Sequence, residues 1–167
     1  ICFIGERDFK LFLQQYIPTQ PGIMVTPEGE KVGEHDGLMY YTLGQRKGLG
    51  IGGGHSNSNG AWYVLDKDLA NNELFVGQGH DQSGLYQKCL SASKIHWISG
   101  EAPEKGNLKA KIRYRAKDAL CQITDLNSTK ISVEFEEPQF AIAPGQSIVF
   151  YFGDVCLGGA VIDKAFN

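Results

Sequence analysis

The sequence predicts a mainly β protein of the α+β class, with one helix near its amino end. Three observations lead to this fold class: apolar residues recur at helical spacing only near that end, short strand-like runs fill the remainder, and turn-forming residues separate those runs evenly. Even spacing of this kind is typical of a small barrel or a sandwich. A chain of 167 residues is long enough for one large domain or two small ones, each with a buried core.

The predicted helix runs from Glu6 to Ile17, and Pro18 ends it. Its apolar side chains recur every three or four residues, which is the pattern of a helix with one face packed against a core. They are Phe9, Phe12, Leu13, Tyr16 and Ile17. Beyond the helix we expect a hairpin that turns around Pro27-Glu28-Gly29, a strand from Leu38 to Leu43, and a second hairpin that turns between Asp66 and Asn72.

A domain boundary is predicted in the segment HDQSGLYQK at 80–88, which is polar and has no clear period. It divides a central domain, residues 1–83, from a second domain, residues 84–167. Six short strands punctuated by Gly, Pro, Asn and Asp are predicted in the second domain. They are Ala92–Trp97, Lys109–Ala116, Cys121–Leu126, Lys130–Phe135, Gln146–Tyr151 and Val155–Ile162.

Composition excludes several classes of protein. Hydrophobic residues make up 42% of the chain and charged residues 21%, a balance typical of globular proteins. No apolar run is long enough for a membrane-spanning helix, and a net charge of −3 argues against a generic basic nucleic-acid binder. The cysteines form no CxxC pair and have no histidine at ligand spacing, so we expect no metal site and, by default, reduced cytoplasmic thiols. They are Cys2, Cys89, Cys121 and Cys156.

A glycine cluster, TLGQRKGLGIGGGHSNSNG, contains a formal G-x-G-x-x-G pattern at Gly48, Gly50 and Gly53. We expect no helix after it, so the pattern does not indicate a dinucleotide site. It is not a P-loop either, because Lys47 precedes the glycines. Two interpretations stay open: a flexible loop, or a backbone-rich loop that closes on an anionic partner with Arg46 and Lys47 at its base.

The segment NLKAKIRYRAKD carries cations at alternate positions, so a strand would direct all of them to one face. The cations are Lys109, Lys111, Arg113, Arg115 and Lys117. The residues expected to face the core are Ala110, Ile112, Tyr114 and Ala116. This face is either a surface that follows the phosphates of a nucleic acid or a solvated face that protects an edge strand.

Cys2 precedes the predicted helix and lies near Arg7, an arrangement that would stabilise a nucleophilic thiolate. Spacing alone favours the alternative, a buried structural cysteine. We interpret the other three cysteines as packing residues. His35, in the turn GEHDG, is interpreted as a turn histidine, because no serine or cysteine at a recognisable spacing completes a hydrolytic triad.

Three stretches together resemble one family along the whole chain: ICFIGERDFKLFL, GEHDGLMYYTLGQRKGLGIGG and PGQSIVFYFGDVCLGGAVI. The family is that of the tRNA-specific 2-thiouridylases, the MnmA family. The resemblance implies a central domain followed by a six-stranded C-terminal β-barrel. It also implies that an N-terminal ATP-pyrophosphatase domain precedes the CFIGER segment in the whole enzyme, so we expect this chain to be a fragment that is inactive alone.

In such an enzyme the cysteine of CFIGER, here Cys2, would carry a persulfide received from a sulfur-relay donor protein. The resemblance assigns ATP to the other domain and tRNA contacts to the RY and PGQ motifs, here Arg113, Tyr114 and Gln146. Because alternation sends Tyr114 inward, either a bulge redirects it or its main chain makes the contact. Arg46 and Lys47 are added from charge and position.

The expected function is therefore the thiolation of C2 of the wobble uridine in tRNA, in the cytoplasm, by a tRNA-uridine 2-sulfurtransferase. No membrane, no metal and no cofactor bound by this chain are expected. Two other classes stay open: a stand-alone RNA-binding β-barrel without a catalytic role, and a scaffold whose barrel docks a partner protein.

Overall fold

A computed structural model describes residues 9–51, 60–104, 106, 108–114 and 116–167. These residues form two compact units that meet in the sequence between Gln82 and Ser83. Strands dominate both units, and one short α-helix lies near the amino end. The predicted mainly β fold class is confirmed.

Helix α1 spans Phe9–Gln14, inside the predicted range. The backbone continues to turn beyond it, because the Tyr16 and Ile17 N–H groups both donate to the Leu13 carbonyl at 2.9 Å. Leu13 packs against the core of the first unit. The predicted start at Glu6 lies outside the described residues.

The first unit contains a four-stranded sheet with the order β2-β1-β4-β3. Its strands are β1 Gly22–Val25, β2 Lys31–His35, β3 Trp62–Asp68 and β4 Glu73–Gln78. Both predicted hairpins are present as antiparallel pairs, β1 with β2 and β3 with β4. The two hairpins join through a parallel pairing of β1 with β4. Gly29, at a φ of +87°, supplies the left-handed turn of the first hairpin.

The strand predicted from Leu38 to Leu43 is wrong. Leu38–Tyr40 is a single 3₁₀ turn, and Tyr41 follows in extended backbone. Tyr40 and Tyr41 are neighbours and are both buried, which a strand with one solvent face does not permit. The Tyr40 hydroxyl donates to the Ile17 carbonyl at 2.7 Å, so this turn also holds the segment that follows α1.

The core of the first unit lies between this sheet and the 3₁₀ turn. Met24 on the central strand β1 and Val64 on the edge strand β3 are both completely buried. The full cluster of buried residues is Met24, Val32, Leu38, Tyr40, Tyr41, Leu49, Val64, Leu74 and Val76.

His35 is a buried polar group at the end of β2, with 2% of its surface exposed. The Gly37 N–H donates to Nδ1 at 3.1 Å, so the ring proton resides on Nε2, which donates to the Asn72 carbonyl at 3.1 Å. Burial lowers the pKa of His35, against smaller opposing effects of the Asn72 carbonyl and Asp36. Gly22 has no room for a side chain here, since a Cβ would lie 2.2 Å from the Asn72 oxygen.

Folding therefore favours neutral His35, which gives a pH dependence of stability. The contribution of neutral His35 to the free energy of unfolding is fully present above the unfolded pKa of 6.5. It is lost as the pH falls below that value towards the lowered pKa of the folded state. We expect the free energy of urea unfolding to fall between pH 7 and pH 5 more steeply in the parent than in His35→Gln. Parallel pH profiles of the two proteins would contradict this.

The second unit is a closed barrel of six strands in the order β10-β5-β8-β7-β6-β9, and every neighbouring pair is antiparallel. Its strands are β5 Tyr86–Trp97, β6 Leu108–Lys111, β7 Ala119–Leu126, β8 Lys130–Phe140, β9 Ser147–Phe152 and β10 Val155–Phe166. The predicted six-stranded barrel is confirmed, and the sandwich is excluded. A second 3₁₀ turn, at Ser83–Leu85, leads into it.

The barrel interior is filled by aliphatic and aromatic side chains. The buried residues are Leu90, Ala92, Leu108, Ala110, Ile112, Cys121, Ile131, Val133, Phe135, Ile142, Ile148, Phe150, Ala160 and Ile162. Closure brings β10 very near both neighbours: a Cβ at Gly158 would lie 2.2 Å from the His96 oxygen, and one at Gly159 would lie 2.6 Å from the Ile148 oxygen. The paired glycines of the LGGA segment are thus required by the barrel.

The three described cysteines differ in their surroundings. Cys121 is buried in the barrel core, where burial raises its pKa to about 12 and keeps the thiol protonated. Cys89 is half-buried. Cys156 is exposed, so its interpretation as a packing residue is wrong: it lies at the start of β10, where the strand has just left the β9–β10 turn.

Candidate nucleic-acid interface

The basic strand β6 is shorter than the sequence predicts. It ends at Lys111, and the Ala116 N–H donates to the Arg113 carbonyl at 3.1 Å to close a turn. Alternation holds as far as Ile112, which is buried like Ala110. The prediction that five cations share one face is wrong, because the chain leaves the sheet before it reaches Arg113. Arg115 lies outside the described residues.

Arg113 is half-buried, and its Nη2 donates to the Ala141 carbonyl at 2.7 Å. Burial lowers the pKa of the guanidinium, which nonetheless stays charged at neutral pH. Ala141 lies in the left-handed region, with a φ of +52°, and its N–H donates to the Leu85 carbonyl at 2.6 Å. Arg113 therefore holds a loop whose backbone is fixed on both sides.

Tyr114 is 89% exposed, so the prediction that it faces the core is wrong. The strand ends before Tyr114, and the inward position that alternation would give it does not exist. Its aromatic ring is open to solvent and to any partner at this end of the barrel.

Gln146 follows a Pro144-Gly145 turn, in which the Gln146 N–H donates to the Ala143 carbonyl at 3.2 Å. Gly145 has a φ of +82°, the conformation that the third position of a type II turn requires. The Gln146 carbonyl accepts the Ile162 N–H at 2.8 Å, and this bond ties the turn to β10. The backbone of Gln146 is thus fixed while its side chain is exposed.

The barrel brings Arg113, Tyr114 and Gln146 to the same end. Strand β6 runs antiparallel to β9, with Lys111 opposite Val149. The chain therefore leaves β6 towards Arg113 at the end where it enters β9 from Gln146. Loop 141–146, which connects β8 with β9, contains both the partner of Arg113 and the turn of Gln146. We call these three side chains the barrel-end cluster.

A cleft of about 410 Å³ lies beside Arg113. It is lined by Ile112, Arg113, Ala116, Lys117, Gln139 and Phe140. Gln139 and Phe140 were missed by the sequence analysis, which ended β8 at Phe135. The signal that could have found them is the apolar Phe140-Ala141-Ile142-Ala143 run, which continues beyond the acidic Glu136 and Glu137.

Arg46 and Lys47 are both exposed in the first unit. Gln45 holds their turn, because its Oε1 accepts the Thr42 N–H at 3.0 Å and its Nε2 donates to the Lys47 carbonyl at 2.9 Å. Gly48 and Gly50, at φ values of +79° and +67°, give the chain its left-handed bends there. Gly53 and the rest of 52–59 lie outside the described residues.

The first unit also has a cleft of about 470 Å³, lined by Gln20, Leu38, Met39, Lys67, Leu69 and Asn72. The Lys67 Nζ donates to the Tyr41 carbonyl, and burial lowers the pKa of Lys67. Three of the six lining side chains are apolar, and the one cation among them is directed to a main-chain oxygen.

The predicted catalytic residue Cys2 lies outside the described residues, which begin at Phe9. Among the residues that the structure does describe, no three His, Cys, Asp or Glu side chains come together as a metal site. Over the same ranges no helix has the length and apolar character needed to cross a membrane.

The two units correspond to two known domain families. Residues 10–78 match the family described as the tRNA methyl transferase PRC-barrel domain, and residues 87–162 match the one described as the aminomethyltransferase beta-barrel domain. Fold and matches together define a class: a domain of the tRNA methyl transferase PRC-barrel family followed by a six-stranded domain of the aminomethyltransferase beta-barrel family.

Curated relatives identify the family more narrowly. The chain is 56% identical to the tRNA-specific 2-thiouridylase MnmA of Methylococcus capsulatus, over all of this chain and 46% of the relative. It is 54% identical to MnmA of Cupriavidus taiwanensis and 56% identical to MnmA of Haemophilus influenzae, over 97% of this chain and 45% and 43% of the relatives. The chain belongs to the tRNA-specific 2-thiouridylase family, and it spans about half the length of these relatives.

The Arg113 side chain should stabilise the barrel through its bond to Ala141. We expect Arg113→Ala to lower the free energy of unfolding by about 1–2 kcal/mol, because a half-buried charge-assisted hydrogen bond is lost. Lys117→Ala, which removes an exposed cation from the same cleft, should change it by less than about 0.5 kcal/mol. Equal effects of the two substitutions in urea titrations would show that the Ala141 bond contributes nothing.

Proposed function

We propose that this chain is the part of a tRNA 2-thiouridylase that binds tRNA and carries the persulfide sulfur. The observation that supports the tRNA-binding role is the barrel-end cluster. The guanidinium of Arg113 and the exposed ring of its neighbour Tyr114 lie at the same end of the barrel as the exposed amide of Gln146, which is distant in sequence. Family membership and the names of the relatives point to the same substrate.

The barrel-end cluster offers the contacts that RNA requires. Arg113 supplies a positive charge for a phosphate, and the ring of Tyr114 offers a surface on which an unpaired base or a ribose can lie. Gln146 can donate to and accept from a base edge or a 2′-hydroxyl. A net charge of −3 does not oppose this, since the field at the cluster depends on local charges. Arg46 and Lys47 add a second cationic contact on the first unit.

Cys2 is proposed to carry the sulfur as a persulfide delivered by a donor protein. The terminal persulfide sulfur, ionised at neutral pH, attacks C2 of the activated wobble uridine, and the C2 oxygen leaves. A second cysteine, on another domain, then attacks the sulfur of Cys2. The bond between the two persulfide sulfurs breaks, a disulfide forms, and 2-thiouridine retains the transferred sulfur.

The described part of the glycine-rich turn lacks the form of a phosphate-binding loop. The glycine-rich turn at Gly48 and Gly50 is followed, as the next described element, by strand β3 rather than by a helix whose N-terminus could hold phosphates. As the family resemblance implies, we assign ATP to another domain of the whole enzyme, where it would make the C2 oxygen a leaving group. The cytoplasm is the proposed location.

Cys2→Ser in the whole enzyme is expected to abolish 2-thiouridine formation, because a serine hydroxyl cannot hold a transferable sulfur. ATP-dependent activation of the uridine should persist in the variant. Mass analysis of the wobble nucleoside measures 2-thiouridine formation, and AMP release in the presence of tRNA measures activation of the uridine.

Cys156→Ser is the matched control, since Cys156 is an exposed cysteine of the barrel with no proposed role. It should thiolate tRNA at the parent rate. Normal thiolation by Cys2→Ser would remove Cys2 from the reaction and leave a stand-alone RNA-binding barrel as the function of this chain.

Arg113→Gln is expected to weaken tRNA binding and to reduce the slope of log K against log[salt] by about 1, because one phosphate contact loses its charge. The amide retains a donor for the Ala141 carbonyl, so the fold should persist. Lys130→Gln is the control, because Lys130 is an exposed cation at the opposite end of the barrel. Identical salt slopes for the parent and both variants would mean that Arg113 contacts no phosphate.

A further inference from the structure

The cleft beside Arg113 has a chemical character that the barrel-end cluster does not explain. Its volume of about 410 Å³ lies in the range of small-molecule sites, roughly 300–1,000 Å³. The apolar part consists of Ile112, Ala116 and Phe140. Phe140 is held in place by an edge-to-face contact with Tyr86, with ring centroids 5.4 Å apart. Gln139 and Lys117 provide the polar part of the lining.

The lining of the cleft favours a planar, uncharged group. Two cations, Arg113 and Lys117, line it at one side, and Arg113 directs its Nη2 to the Ala141 carbonyl. The Gln139 amide nitrogen donates to the Glu137 carbonyl at 2.8 Å, which fixes the amide at this side of the cleft. A cleft with three apolar side chains and one oriented amide suits a planar heterocycle.

We propose that this cleft takes one unpaired nucleobase of the tRNA. The inference rests on the proposed function and deepens it, since a single base withdrawn from the stack gives recognition that phosphate contacts cannot give. The base lies against Phe140 and Ile112, and the Gln139 amide contacts its edge. The exposed ring of Tyr114, outside the cleft, is then available to the neighbouring nucleotide.

The test is a coupling experiment between cleft substitutions and missing bases. Binding of the whole enzyme is measured with a series of synthetic tRNAs. Each tRNA carries one abasic site, and together the sites cover every unpaired position except the wobble uridine. Two variants alter the cleft: Ala116→Phe fills it, and Gln139→Ala removes the amide without replacing any buried side chain. Ala102→Phe, the same enlargement at an exposed alanine beyond the far end of β5, is the control.

For the parent enzyme and for Ala102→Phe, we expect one abasic position to weaken binding about tenfold, the effect of losing one stacked base. For Ala116→Phe and Gln139→Ala, the same abasic position should change binding less than about twofold. Because Gln139→Ala does not depend on the accommodation of a larger side chain, it tests the proposal even if Ala116→Phe fails to fold.

Abasic effects that are equal in all four proteins would overturn the nucleobase cleft and leave the proposed function standing. Insensitivity to every abasic site, together with a reduced salt slope in Ala116→Phe, would overturn it in favour of a phosphate site. A parent enzyme that does not bind tRNA at all would overturn both the cleft and the proposed function.

Discussion

Closure of the barrel through β10 is the constraint on which the arrangement of the second unit depends. Strand β10 bonds β5 on one side and β9 on the other, and the close approach leaves no room for a Cβ at Gly158 or Gly159. Once the barrel is closed and antiparallel, the end of β6, the end of β8 and the start of β9 must meet. The residues of the barrel-end cluster and of the cleft come from these three strand ends, so closure of the barrel brings them together.

Much of this architecture could be predicted from the sequence, because strands and turns leave local signals. The first hairpin follows from Pro27-Glu28-Gly29, and the six barrel strands follow from evenly spaced turn residues. The segment from Leu38 to Leu43 shows the limit of such signals. Its apolar residues fit a strand, yet the burial of both Tyr40 and Tyr41 requires a tight turn. Only tertiary packing decides between a strand and a turn.

The sequence predicted which residues belong to the candidate site, but it did not predict their geometry. Alternation assigned Tyr114 to the core because it assumed that β6 continues to Ala116, and no local feature marks the end of the strand at Lys111. The pairing of Arg113 with Ala141 joins residues that are 28 positions apart, which no periodic pattern can reveal. The cleft residues Gln139 and Phe140 were missed for a different reason: the predicted strand ended at Phe135, before the apolar run that begins at Phe140. Cys2 is predicted as a site residue through family resemblance, since spacing alone favoured a buried thiol.

The bond from Arg113 to the Ala141 carbonyl bears on whether the protein or its ligand changes conformation when the two bind. Loop 141–146 is anchored by Leu85, by Ile162 and by Arg113, so its conformation is set before any ligand arrives. A surface prepared in this way loses little conformational freedom on association. In the proposed complex with tRNA, the conformational change would then occur in the nucleic acid, and sequences whose loops open at low energetic cost would be preferred even where the protein never touches their distinguishing bases.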